Sequence, residues 1–122
     1  MSWVVLLDDD VEAWFLALAD EDPASAEQVE AAINILEDVG PALGAPLVKK
    51  IDDSDYHHMK ELRPGSSGGS EVRILFAFDP KRQAILLVAG DKSGSWNGWY
   101  DKNIPIADAR YEAHLRDMEG RR

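Results

Sequence analysis

Two apolar runs joined by a short turn decide the fold of this chain: Glu71–Phe78, with the sequence EVRILFAF, and Gln83–Ala89, with the sequence QAILLVA. In the first run the apolar positions 72, 74, 76 and 78 recur at every second residue, which is the period of a strand with one buried face. The intervening DPKR segment has the composition of a turn. The two runs therefore predict an antiparallel β-hairpin.

The residues before this hairpin predict a strand and two helices. Ser2–Leu7 is almost wholly apolar, which favours a strand buried on both faces. The three aspartates at 8–10 provide an N-cap for a first helix, whose apolar residues at 11, 14, 15 and 18 recur at helical spacing. Asp22-Pro23 is typical of the start of a second helix, and Gly40-Pro41 of its end. Together the helices predict an αα-hairpin with an acidic outer face.

Shorter segments complete the order of elements. Leu47–Ile51 is interpreted as a short strand or turn edge, and His57–Arg63 as a strand. Gly90–Asp101 is expected to be irregular, and Ile104-Pro105 to open the last helix. We expect an α+β fold: an N-terminal strand and a helical hairpin packed on a small, mainly antiparallel sheet, with a C-terminal helix. The hairpin should cover one side of the sheet, leaving the other open apart from the terminal helix at its edge.

Composition narrows the class of protein. The 122 residues match one domain, so residues 1–122 are expected to form a single unit. There are no cysteines, which excludes disulfides and thiolate metal sites. The first apolar run is too short for a signal peptide, and no run is long enough to span a bilayer. The expected location is the cytoplasm, with no membrane partner.

The charge distribution matters more than the net charge of −10. Residues 1–46 contain eleven acids and no lysine or arginine. Residues 47–102 contain nine basic and eight acidic residues, and residues 103–122 contain four of each. The acidic excess therefore lies in the first third of the chain, and the remainder can still present a local basic face to a nucleic acid.

The ordered motifs after the helical segment resemble the core of HigB-like toxins in the RelE superfamily. Lys60–Arg63 (KELR) precedes a glycine-rich turn, Val72–Phe78 starts with VRI, and Ile85–Lys92 (ILLVAGDK) ends in a glycine and a lysine. A helix opening with proline and alanine follows at Ile104–Ala109. The resemblance covers residues 3–118.

This resemblance implies a ribosome-associated mRNA endoribonuclease that inhibits translation, without a metal or cofactor. It also implies a cognate antitoxin, usually with a helix-turn-helix DNA-binding domain. Two features depart from the family: the chain is acidic where relatives are basic, and a double lysine is reduced to Asp91-Lys92. Both departures favour an alternative, a non-catalytic module of the same fold that binds a helix-turn-helix regulator.

Arg73 is the leading candidate for the RNA-cleaving site. Cleavage without a metal uses the 2′-OH as nucleophile and needs a base, an acid and a cation for the charge on the phosphorane. The two-residue period points Arg73 away from the helical hairpin, on the same face as Leu75 and Ala77. The functional interpretation is a phosphate ligand. The structural alternative is an arginine paired with Glu61 or Glu71.

Other residues are weaker candidates for the same site. Arg63, Lys92 and Lys60 are predicted to be catalytic with Arg73, although Lys60 and Arg63 need a bulge to reach one cleft. His57 and His58 are candidates for acid and base because the pKa of histidine lies near neutral pH. They are not predicted to bind a metal, since no third ligand stands at a suitable spacing. Lys49, Lys50 and Lys102 are expected to form an RNA-binding rim. Trp96, Trp99 and Tyr100 are expected either to stack on bases or to fix an irregular loop.

Overall fold

The computed structural model describes residues 2–56, 58–65 and 68–120, without the side chain of Trp96. The elements, in order, are β1 Val4–Leu7, α1 Asp9–Glu21, α2 Pro23–Val39, β2 Val48–Lys50, β3 Lys60–Leu62, β4 Val72–Phe78, β5 Gln83–Asp91 and α3 Trp96–Gly120. A 3-10 turn at Gly40–Ala42 follows α2. The predicted α+β class is confirmed. No helix in the described ranges is long and apolar enough to cross a membrane.

The five strands form one sheet in the order β1-β5-β4-β3-β2. Strand β1 runs parallel to β5, and the other neighbours are antiparallel, so the sheet is mainly antiparallel as expected. The prediction that β1 is buried on both faces is wrong. It is an edge strand, and Val4 and Leu6 are 53% and 39% exposed. Its apolar run reflects one packed face and one open face.

The helical hairpin covers one face of the sheet. Asp8 caps α1 by accepting from the amide of Asp10 at 3.1 Å, and Asp22 caps α2 by accepting from the amide of Ser25 at 3.3 Å. The core on this side contains a set of buried residues shared by the two helices, β2, β3, β4 and β5: Val11, Val29, Ala32, Leu36, Val48, Leu62, Val72, Ile74, Phe76, Ala84 and Leu86. The alternation predicted for β4 is therefore confirmed.

The opposite face of the sheet is covered by α3, which corrects the expectation of an open face with a helix only at its edge. Leu75 and Leu87 are buried there against Ala107 and Tyr111 of α3. The β4–β5 register shifts between Leu75 and Phe76, which indicates a bulge in β5. An apolar second face cannot remain in water without cost, so the terminal helix lies flat across it.

Helix α3 begins at Trp96, so the prediction of an irregular segment to residue 101 and a start near Ile104-Pro105 is wrong. The amide of Trp99 donates to the Ser95 carbonyl at 2.8 Å in the first turn. Pro105 lies inside the helix, where it removes one backbone donor. Packing of the first turns against the sheet outweighs this loss and the low helix propensity of Gly98.

The C-terminal half of α3 is tied to the sheet by polar contacts. The hydroxyl of Tyr111 donates to the Phe78 carbonyl at 2.8 Å. His114 lies 2.7 Å from the carboxylate of Asp79, whose side chain is fully buried in the turn after β4. These contacts hold the helix in register against β4 and β5.

Candidate functional site

A groove of about 510 Å³ opens between β2, β3, the end of β5 and the N-terminal half of α3. Its lining includes Glu61, Lys92, Tyr100 and Ile104. The charged lining residues are four cations and four acids: Lys49, Lys50, Arg63, Lys92, Asp52, Asp53, Glu61 and Asp101. The groove is therefore formally neutral, and its chemistry depends on how the charges are arranged.

Arg73 lies beneath this groove. It faces away from the helical hairpin, in the predicted direction, and its side chain is only 9% exposed. Its Nη1 donates to the carbonyl of Val72 at 2.8 Å, and its Nε lies 3.7 Å from Oε1 of Glu61. Arg73 is not among the groove's lining residues. The structure thus contains the ion pair with Glu61 and places Arg73 behind the carboxylate.

Glu61 is the carboxylate around which the cations gather. Strand β3 pairs Glu61 with Leu75, which turns its side chain toward α3 and leaves it 3% exposed. Its Oε1 is 3.6 Å from Nε of Arg63 and 3.7 Å from Nε of Arg73. Within the described residues, Oε2 of Glu61 and Nε of Arg73 have no hydrogen-bond partner. Buried orphans of this kind are costly, and a bound ligand can satisfy them.

Lys92 adds a second buried cation at the end of β5. Its amide donates to the Glu71 carbonyl at 3.0 Å, and its Nζ lies 5.5 Å from the centre of the Tyr100 ring. Burial lowers the pKa of Lys92 below the usual 10.5, and the positive charge of Arg73 lowers it further against the opposing effect of nearby glutamates. Lys92 is therefore a stronger acid than an ordinary lysine.

Tyr100 faces Glu61 from the first turns of α3. Burial raises the pKa of Tyr100 to about 12, and the carboxylate of Glu61 adds to the shift. Its neighbour Trp99 packs on Gly90, where a Cβ atom would lie 2.9 Å from the indole Nε1. This close approach needs glycine and holds Tyr100 over the groove as a neutral hydrogen-bond donor.

Of the residues predicted to be catalytic with Arg73, two line the groove and one lies on the other face of the sheet. Arg63 and Lys92 line the groove with Glu61. Lys60 lies on the other face of the sheet, where its Nζ donates to the Pro41 carbonyl at 3.4 Å and sits 5.4 Å from the centre of the Phe78 ring. Simple alternation along β3 separates Lys60 from Glu61, and no bulge reverses it.

The predicted rim is only partly assembled. Lys49 and Lys50 line the groove from β2. Lys102 is exposed on α3 and is absent from the groove lining. Asp52, Asp53 and Asp101 line the same groove as Lys49 and Lys50, so the net charge of the lining is not positive. Of the three aromatic candidates, Tyr100 enters the groove and Trp99 fixes the start of α3.

The histidines do not supply an acid or base to this groove in the described part of the chain. His57 lies outside the described residues. His58 packs on the rings of Tyr56 and Tyr111, and its Nε2 is 3.1 Å from the Tyr111 hydroxyl. Tyr111 is hydrogen-bonded to the carbonyl of Phe78, which lies five residues along β4 from Arg73, or about 16 Å at the rise of a strand. His58 therefore lies at the other end of β4 from Arg73. Among the described residues, no group of three or more His, Asp or Glu is placed to hold a metal ion.

The sequence indicates Glu61 only as a partner of Arg73, and Tyr100 only as a residue that stacks on bases or fixes a loop. The signal for Glu61 is its spacing: Glu61 and Arg63 are two residues apart on a strand, so they share a face. A glutamate on the apolar face of a strand needs a cation partner, and Arg73 on the next strand provides it. Tyr100 carries no such signal until α3 is known to start at Trp96.

Comparisons with known proteins agree with this fold. The family model "Phage derived protein Gp49-like (DUF891)" matches residues 13–112. A Mycobacterium tuberculosis protein named as toxin HigB3 is 55% identical over 116 residues, covering 95% of this chain and 96% of that protein. A second protein of that organism, named as toxin HigB2, is 54% identical over 109 residues, covering 89% of this chain and 53% of that protein. The chain thus spans about half the length of HigB2.

Among solved structures, a double mutant of the E. coli toxin RelE in the free state matches with a TM-score of 0.56 and 12% identity. The match covers 78% of this chain and 88% of RelE, and at this identity it shows the fold alone. The fold therefore defines the class as RelE-like.

The sequence matches then define the family: the chain belongs to the phage-derived Gp49-like family and is a RelE/HigB-like toxin of a toxin–antitoxin system, with a cognate antitoxin as its partner. The resemblance found in the sequence is confirmed.

Proposed function

We propose that this toxin is a metal-independent endoribonuclease that cuts mRNA, with the ribosome as its site of action in the cytoplasm, and so inhibits translation. The observation that carries the proposal is the convergence of Arg63, Arg73 and Lys92 on the buried carboxylate of Glu61 at the floor of a groove. Cations, a carboxylate and a phenol in one cleft are the parts that attack by a 2′-OH requires.

The carboxylate of Glu61 takes the role of general base. Glu61 lines the groove, and in this scheme its carboxylate accepts the proton of a ribose 2′-OH bound there. The 2′-oxygen then attacks phosphorus and the bond to the 5′-oxygen breaks. The products are a 2′,3′-cyclic phosphate and a free 5′-OH.

Lys92 takes the role of general acid. Its pKa lies below the usual lysine value because of burial, so its ammonium gives a proton to the leaving 5′-oxygen more readily than an exposed lysine. Tyr100, with its pKa of about 12, keeps its proton and donates a hydrogen bond instead. The two neighbours thus have different tasks because their acidities differ.

The two arginines take different roles in this scheme. Arg63, with a side chain 35% exposed at the groove, contacts a non-bridging phosphate oxygen and stabilises the phosphorane. Arg73 is a positioning residue that holds Glu61 from behind, since it is buried and does not line the groove. Lys49 and Lys50 contact phosphates farther along the strand. Lys60 has no part in the scheme because it lies on the other face.

The acidic helical hairpin fits this assignment as a surface that RNA avoids. It lies on the face of the sheet opposite the groove and contains no lysine or arginine. Like-charge repulsion disfavours RNA on that side and leaves the groove as its place of contact.

Expression of variants without the antitoxin tests the proposal. Glu61→Gln and Lys92→Met should relieve growth arrest and lower mRNA cleavage at least about 100-fold, the scale of losing an acid or base. The matched control is Lys60→Met, which changes a lysine of the adjacent strand position outside the groove and should remain toxic. If folded Glu61→Gln and Lys92→Met proteins both cleave mRNA like the wild type, the groove is not the active site.

The second candidate function is a non-catalytic module that binds a helix-turn-helix regulator. It is favoured by one observation, the equal number of acids and cations in the groove lining. Tight antitoxin binding by a folded protein that cuts no mRNA, with or without translating ribosomes, is the result that supports this function over the first.

A further inference from the structure

Helix α2 has a second apolar face, which is exposed among the residues that the structure describes. The residues on it, which we call the α2 seam, are all exposed: Ala24, Gln28, Ala31, Ile35 and Val39. Ile35 and Val39 are large aliphatic residues that are 44% and 40% exposed. The residues follow one another at three- and four-residue intervals over four turns, which is the spacing of a helix that packs along another helix.

The seam is distinct from the face that α2 buries in the protein. Val29, Ala32 and Leu36 point into the core, and the seam lies beside them on the helix surface. A loop after β3 stands next to it, since a Cβ atom on Gly65 would lie 3.1 Å from the side-chain oxygen of Gln28. The seam is therefore an apolar strip that the loop after β3 borders at Gln28.

Charge identifies the kind of partner that the seam fits. Helical periodicity places Glu27 and Asp38 along the outer border of the seam, and both are exposed. Residues 1–46 hold no lysine or arginine to offset them. A second copy of this chain packed seam to seam would bring like charges together in either orientation, which disfavours self-association. A partner helix with lysine or arginine beside its apolar stripe has the complementary pattern.

We propose that the α2 seam docks an amphipathic helix of the cognate antitoxin, with an apolar stripe on the seam and basic residues opposite Glu27 and Asp38. The proposal rests on the assignment of the chain as a toxin with an antitoxin, and it does not depend on RNA cleavage. The seam and the groove lie on opposite faces of the sheet, so seam variants leave cleavage unchanged and the two proposals fail separately.

The test measures binding of the purified antitoxin from the neighbouring reading frame to toxin variants by calorimetry. Ile35→Ser/Val39→Ser removes the apolar contact, and Glu27→Lys/Asp38→Lys reverses the border charge. Leu16→Ser is the matched control, because Leu16 is 61% exposed on α1 and lies outside the seam. All these side chains are exposed, so the variants should fold, which circular dichroism checks.

Ile35→Ser/Val39→Ser should weaken binding at least about tenfold, as expected for residues at the centre of an interface. Glu27→Lys/Asp38→Lys should also weaken it, because it places like charges opposite the basic residues of the partner. Leu16→Ser should stay within about twofold. Raising salt from about 0.1 M to about 1 M shortens the screening length from about 10 Å to about 3 Å, and this should weaken the wild-type complex more than the charge-reversed one. Wild-type affinity in Ile35→Ser/Val39→Ser, or a loss in Leu16→Ser equal to that of the seam variants, overturns the proposal.

Discussion

Replacing Arg73 by methionine should destabilise the protein through Glu61. The carboxylate is 3% exposed and lies between two guanidinium groups, so removing Arg73 leaves a buried charge with one partner fewer. Breaking a buried ion pair costs about 3–5 kcal/mol. Because Arg63 remains 3.6 Å from the same oxygen, we expect the lower end of that range, about 3 kcal/mol.

Urea unfolding gives the readout. With a slope of about 2 kcal/mol per molar for a domain of this size, the midpoint for Arg73→Met should fall by about 1.5 M. The double variant Glu61→Gln/Arg73→Met removes the stranded charge as well, so it should recover part of the loss. A coupling free energy of about 2 kcal/mol between the two positions is expected from the double-mutant cycle.

Arg63→Met is the matched control. Its side chain is 35% exposed and screened by water, so the loss should stay below about 1 kcal/mol. A coupling below about 0.5 kcal/mol between Glu61 and Arg73 would refute the reasoning, because it would mean that Arg73 does not hold the carboxylate. A residue other than Arg73 would then have to position the carboxylate of Glu61.

Three further predictions concern the elements that support the groove. In alkaline titration followed by tyrosinate absorbance, the Tyr100→Phe protein should lack the tyrosine that ionises near pH 12. Because unfolded tyrosine ionises near pH 10, the stability of the wild type should fall between about pH 10 and pH 12. A wild-type titration without so late a step contradicts the burial of Tyr100. Gly90→Ala brings a Cβ atom within 2.9 Å of the Trp99 indole and should lower the free energy of unfolding, measured by thermal unfolding, by about 1–3 kcal/mol. Gly44→Ala is the control, because the space around its Cβ is open and the substitution should be tolerated. Equal effects of the two substitutions would disprove the close packing. Burial alone raises the pKa of Asp79, but hydrogen bonds from His114, Gln83 and Lys81 outweigh it and hold the pKa below 3.8. Its stabilising contribution is thus present above that pH and lost as the pH falls, so the stability difference between wild type and Asp79→Asn should narrow in acid, and a difference that widens there counts against the buried carboxylate.

Local patterns were sufficient to predict the elements on the hairpin side of the fold. The caps at Asp8 and Asp22, and the alternation along β4, predicted α1, α2 and the face that they cover. Periodicity also predicted that Arg73 points away from this face. These features depend on neighbours in sequence, which is why the sequence alone reveals them.

The features that sequence did not reveal depend on tertiary packing. Glycines at 94 and 98 and the proline at 105 favour an irregular segment, yet burial against the sheet extends α3 back to Trp96. That extension brings Tyr100 over the groove. The depth of Arg73 likewise depends on α3 and on the cross-strand position of Glu61, which no local pattern reports.

Analysis of the RNA ends produced by the wild type and by Glu61→Gln, with translating ribosomes and a chelator of free transition metals present, tests the central claim most directly. The proposed chemistry predicts a 2′,3′-cyclic phosphate and a 5′-OH from the wild type, and a rate at least about 100-fold lower from Glu61→Gln. Cleavage that leaves a 5′-phosphate, or no cleavage by a folded protein that still binds its antitoxin, would contradict it.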